Sequence, residues 1–358
     1  MREPDVLQQR FQVQHLSGDP LESAEDVVDL LCAVQAQDYP GASWSLGQRI
    51  RGGTQAMIDA ALAEGRILRT HALRPTWHFV TPADIRWILQ LTAPRVHALN
   101  AYQYRSQEID DKIMARSCKL ITRALAGGRH HTRAELANVL AKAGIVTDAM
   151  RITHIMMWAE LEGVVCSGAL KGKQQTYALL DERAPLMKAK SRDEALGEFV
   201  LRFFTGHGPA MLKHFTWWSG LTLADAKRGL AMVRSQLSDE VVEGRPEWLG
   251  VPRRKLRRTS EPTTAYLIPE YDEVLTGWRE LAALDAVADM PALRSRDTFF
   301  RPLVIGGRRV GTWRRTITGK KAILETNLAT PLNRSQMKAL RTAVEKYAAF
   351  LGLPMTIV

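Results

Sequence analysis

The chain has 358 residues, 46% of them hydrophobic and 24% charged, a composition that excludes a fibrous, collagen-like or disordered protein and predicts two or three domains. No apolar run reaches the roughly 18 residues a membrane span needs, the first residues lack a leader pattern, and three widely spaced cysteines (Cys32, Cys118, Cys166) fit neither a disulfide framework nor a zinc site, so neither membrane nor secretion is expected and the compartment reads as reducing. Of the net charge of +11, residues 251–358 carry +9, with 19 basic and 10 acidic side chains, which predicts a surface there that faces a polyanion, nucleic acid first.

From the N-terminus, helical patterning covers 6–16, 23–35 and 55–63, and 67–72 and 76–80 read as paired strands. Ser23-Ala-Glu-Asp26 forms a capping box. At the end of the second helix stands Leu31-Cys-Ala-Val-Gln35-Ala-Gln37-Asp38-Tyr-Pro40. A helix unwinding before Pro40 brings Gln35 and Gln37 together, and two primary amides suffice to orient one water. The same amides also suit helix-end carbonyls, and Asp38 is a rival carboxylate that equally fits a turn. Trp44 follows as a further candidate for the cleft, and the alternating pair Trp77 and His78 sends one side chain to the core and one to a cleft.

Helices at 115–126, 134–143 (opened by the box Thr132–Glu135) and 148–162 precede a hairpin at 163–180 with the basic tip Lys171-Gly-Lys173. This is the winged-helix order, with the third helix free for a groove. The order recurs in helices at 192–204, 209–217 and 222–234, followed by a hairpin near 239–250. The basic run 252–258 holds five cations in seven residues and reads either as a solvated linker or as a phosphate-contacting strand. Beyond it, 301–315 is a hairpin turning at Gly306-Gly307; Arg308, Arg309, Trp313, Arg314 and Arg315 are its candidate DNA contacts, together with Lys171 and Lys173, and a helix at 335–350 closes the chain. The expected fold is therefore α+β and mostly helical: winged-helix units at 1–112, 113–190 and 191–251, then a basic α/β element at 252–358. No Walker A loop, dinucleotide fingerprint, nucleophile elbow or metal-ligand spacing occurs, so neither metal nor cofactor is expected.

Five segments carry a resemblance: 31–49 with its Gln35-Ala36-Gln37 core, Arg69-Thr-His-Ala-Leu-Arg-Pro-Thr-Trp-His78, Trp217-Trp-Ser-Gly-Leu221, Leu267-Ile-Pro-Glu-Tyr-Asp272 and Val310-Gly-Thr-Trp-Arg314. Together, over nearly the whole chain, they are similar to the HTH_42 winged-helix superfamily, and within it to the AlkZ-like bacterial DNA glycosylases. The resemblance implies three tandem winged helices in a C-shaped DNA scaffold and catalysis by a Gln-Φ-Gln motif, here Gln35 and Gln37 with Ala36 as Φ. It implies a cytoplasmic monomer acting without cofactors on double-stranded DNA that contains alkylated or cross-linked purines. A purine alkylated at N7 or N3 departs as a neutral base and needs no general acid, so two amides that align a water match that chemistry. The alternative is a winged-helix transcriptional regulator without catalysis. A strand-nicking lyase needs an amine nucleophile, and no lysine lies near Gln35.

Overall fold

The computed structural model describes residues 3–251, 264–276 and 301–358, so the basic run 252–258 lies outside the described residues. The protein is α+β and mostly helical, with thirteen α-helices among the described residues and four small sheets.

In the N-terminal region the capping box at Ser23 and Asp26 opens the helix Ala24–Leu31. That helix stops at Cys32, whose φ of 64° breaks the right-handed path. Gln35 therefore does not end a helix. Val34–Gln35 is a short edge strand, antiparallel to Thr76–Val80, which in turn pairs with Leu68–Ala72. Pro40, expected to close a helix, instead opens the helix Tyr39–Gly47, where its missing N–H costs nothing and its fixed φ suits the first turn. Sequence patterning gave no sign of the 22-residue helix Ile85–Ser106, whose interior Pro94 interrupts the usual signal.

The middle region runs helix Asp111–Leu125, strand His131–Thr132, helices Arg133–Lys142 and Ala149–Leu161, then the hairpin Val165–Ser167 and Thr176–Leu179. The box at Thr132 and Glu135 is present. The helix Ala149–Leu161 is not free for a groove: Ile152, Ile155, Met156, Met157, Ala159 and Leu161 are buried in the main core, beside residues of Ile85–Ser106 and Leu68–Ala72. Helices Arg192–His207, Leu212–Ser219 and Leu223–Val233 with the hairpin Leu237–Val242 and Arg245–Gly250 repeat the order, and the bridge Ala210–Trp248 stands in for the first strand.

The C-terminal part is a five-stranded sheet ordered Met355–Ile357, Lys321–Leu328, Arg308–Thr318, Pro302–Ile305, Ala265–Leu267, with the helix Arg334–Leu351 against it. Only the Met355–Ile357 edge is parallel. The sheet is no appendage. Trp44, Leu46 and Val27 share one apolar cluster with Leu267, Leu303, Trp313, Tyr347 and Phe350. A buried ion pair reinforces this union: Arg49 meets Asp272 at 2.7 and 2.9 Å, and Ser45 and Gln48 donate to the same carboxylate. Burial alone would raise the Asp272 carboxyl, but Arg49 and its hydrogen bonds reverse that and hold it below the usual range.

Candidate active site

An extended backbone sends alternate side chains to opposite faces. The strand ends at Gln35, though, and Gln37 lies in the bend before Tyr39, with Ala36 between them fully buried. Ala36 is fixed at both backbone poles: its N–H donates to the Trp77 carbonyl at 2.7 Å, and Arg69 Nε donates to its carbonyl at 3.0 Å. The N–H of Gln35 donates to Glu273 Oε1 at 2.7 Å. The other oxygen of that buried carboxylate accepts from Trp218 Nε1 at 2.8 Å and lies 3.2 Å from His207 Nε2. Segments from three distant parts of the chain thus meet at one backbone amide.

The two side-chain amides are also held. Arg74 Nη2 donates to Gln35 Oε1 at 2.7 Å, and the backbone N–H of Trp77 donates to Gln37 Oε1 at 3.3 Å. Gln35 is half-buried and Gln37 exposed. Asp38 sits at the start of the helix Tyr39–Gly47 but does not cap it; its carboxylate pairs with Arg301 at 3.1 Å. Gln35, Asp38, Gly41, Pro269, Glu270 and Tyr271 line a narrow crevice, too tight as it stands for a water molecule. Burial raises the Glu270 carboxyl above its ordinary value, opposed by the Tyr271 hydrogen bond and by Arg301 and reinforced by Asp38.

The cross-strand register Gln35–His78 puts His78 on the glutamine face, yet it is fully buried. Burial, then Arg74, lowers its imidazole to about 3, so it is neutral, with Nδ1 3.0 Å from the Thr76 carbonyl. Trp77 faces the other way: its indole N–H donates to Glu160 at 3.2 Å, and its ring lies against His71 and under Arg69. The contribution of Trp77 to the glutamine side is its backbone N–H. The buried Glu160 carboxylate also lies 2.5 Å from His71 Nδ1.

Two expected site residues prove to be core. Trp44 is 3% exposed and donates to the Leu267 carbonyl at 2.7 Å; Trp313 is 4% exposed and donates to the Ile268 carbonyl at 3.0 Å. Both rings pack on Tyr347, and both are turned inward with the apolar cluster. Arg309 is likewise buried. Arg314 is exposed but held by both oxygens of Glu325 on the neighbouring strand, and Arg315 bonds the Tyr347 hydroxyl. Lys171 pairs with Glu135 at 2.5 Å, while Lys173 and Arg308 are exposed. Arg74, Glu273, Arg301 and Trp217 belong to the neighbourhood of the glutamines although patterning did not select them. The long pairing of Arg308–Thr318 with Lys321–Leu328 also projects Thr316 to Lys321, all exposed, including Lys320 and Lys321 at its turn. The positive charge of residues 251–358 marked the region without revealing that turn.

Every segment that carried the resemblance thus reaches the glutamines or the core beneath them. Residues 28–350 match the family described as DNA glycosylase AlkZ-like. The chain belongs to this family. AlkZ-like DNA glycosylases are hydrolases of N-glycosidic bonds in DNA. Among curated proteins, an interstrand DNA cross-link repair glycosylase of Streptomyces sahachiroi is 26% identical, the match covering 97% of this chain and 95% of the relative. The fold is that of the solved Streptomyces sahachiroi DNA glycosylase AlkZ, with a TM-score of 0.76 at 22% identity and full coverage of both chains.

Proposed function

We propose that this AlkZ-like chain is a monofunctional glycosylase for cationic N7- or N3-alkylated purines in double-stranded DNA, including bulky or cross-linked adducts, with Gln35 and Gln37 aligning the attacking water. The observation that carries this reading is that Gln35, at the end of an edge strand, and Gln37, two residues on, are each anchored by the amide oxygen, with Gln35 beside the crevice that Asp38 and Glu270 line. Water oxygen adds to C1′ as the C1′–N bond breaks. The bonding pair leaves with the purine, neutralising its cation, and the water proton passes to solvent. Amides are weak bases, so the charge of the lesion lowers the barrier, and ordinary purines stay in place. The nearby carboxylates suit an oxocarbenium-like sugar, which develops positive charge.

We read 1–112, 113–190 and 191–251 as three winged helices in a C-shaped scaffold, with 252–358 as the α/β element; the repeated helix–strand–helix–helix–hairpin order supports the second and third. Exposed Lys173, Arg308, Lys320 and Lys321 are the cations best placed to meet phosphates. A time course on duplexes carrying one N7-methylguanine, alongside a cross-linked duplex, tests the reading. Release of free base, leaving an intact abasic strand and no borohydride-trapped adduct, supports it. Sequence-specific binding with no base release would point to a regulator instead.

A further inference from the structure

Gln35 is fastened on its oxygen side only: Oε1 accepts from Arg74, and its Nε2 has no hydrogen-bond partner among the described residues. A guanidinium has donors and no acceptor, so this bond decides which end of the amide faces Arg74. Arg74 itself is held unusually firmly. It sits in the turn Leu73-Arg74-Pro75, with Leu73 buried at φ 60°. Its guanidinium stacks over Trp217 at 4.3 Å and donates to the Trp217 carbonyl at 3.0 Å. The helix Leu212–Ser219 reaches this turn because Gly220 ends it at φ 71°, where a Cβ would stand 2.5 Å from the Leu73 carbonyl oxygen. Trp217 nonetheless remains 60% exposed.

We propose that Arg74, braced by Trp217, is a positioning residue that turns the Gln35 amide so that its NH2 group, not its oxygen, faces the cleft. Gln35 then acts as a hydrogen-bond donor. The helix of the third winged-helix unit that carries Trp217 thereby sets the orientation of a side chain in the first. This inference rests on the reading of Gln35 as a group of the hydrolytic site.

A double-mutant cycle tests it, with single-turnover excision of N7-methylguanine at saturating protein as the rate and duplex affinity measured alongside. Arg74→Ala should slow excision by roughly 10- to 100-fold, the scale expected from a misplaced group, with duplex affinity changed less than about threefold. In a Gln35→Ala background Arg74→Ala should be silent. Gln35→Glu keeps the Arg74 bond but offers only acceptors, and should be as slow as Gln35→Ala. Trp217→Ala, which leaves Arg74 in place, should slow excision less, an effect that also vanishes in the Gln35→Ala background; this arm decides if Arg74→Ala fails to fold. Full activity of Arg74→Ala, additive effects in the cycle, or an active Gln35→Glu would overturn the inference while leaving the role of Gln35 intact. Wild-type activity of Gln35→Ala itself would remove both.

Discussion

In the proposed mechanism Gln35 and Gln37 do the work that an ordinary glycosidase assigns to carboxylates, although an amide cannot take a proton at neutral pH. What it supplies instead is direction, and each amide here is tethered by its oxygen. As a candidate, the pair was legible from residue type and spacing. Its local conformation was not, because the strand exists only through pairing with residues some forty positions away. Tryptophan was the harder residue to read. Trp44 and Trp313 lie in motifs beside functional residues, yet their indoles anchor the core by donating to backbone carbonyls. Trp313→Ala is expected to cost about 3–5 kcal/mol of stability in chemical denaturation while leaving the salt dependence of duplex binding unchanged. A stable variant with a reduced salt slope would restore Trp313 to the DNA surface.

Helices announced by capping boxes at Ser23 and Thr132 formed where local chemistry dictates. Elements defined by tertiary packing were less legible. Pro40 could close one helix or open another, and the docking of Val34–Gln35 decides which. The helix Ala149–Leu161 has the sequence position of a recognition helix but is consumed by the core, with Glu160 reaching under Trp77. An exposed basic turn lies at Gly319 between Arg308–Thr318 and Lys321–Leu328. Replacing Lys320 and Lys321 together by Ala should weaken duplex binding and lower the log–log salt slope by about 1 for each phosphate that is no longer neutralised. An unchanged slope would assign phosphate binding to other cations.

The whole molecule joins its first and last thirds around one apolar cluster and the buried Arg49–Asp272 pair. Asp272→Ala leaves a buried guanidinium uncompensated and should cost about 3–5 kcal/mol, read as a weakening of the main unfolding transition and not as detachment of the C-terminal sheet alone. Acid should also destabilise the fold. Burial first, then neighbouring cations, holds His78 and His214 neutral at about 3, against 6.5 for a free imidazole. Below pH 6.5 the unfolded chain binds protons that the folded chain refuses, so stability falls steadily from there toward pH 3, and neither group matters above pH 6.5. His214→Gln should flatten that slope in denaturation curves taken between pH 6.5 and 4; an unaltered slope would contradict the assignment. In the proposed mechanism the charge concentrated in residues 251–358 would hold DNA, and hydrolysis would fall to two uncharged side chains near the other end. The decisive measurement is single-turnover release of N7-methylguanine by saturating wild-type protein and by the Gln35→Ala, Gln37→Ala double variant. The wild type should free the base, and the double variant should be at least about 100-fold slower with duplex affinity within about threefold; base release by the double variant at the wild-type rate would contradict the account.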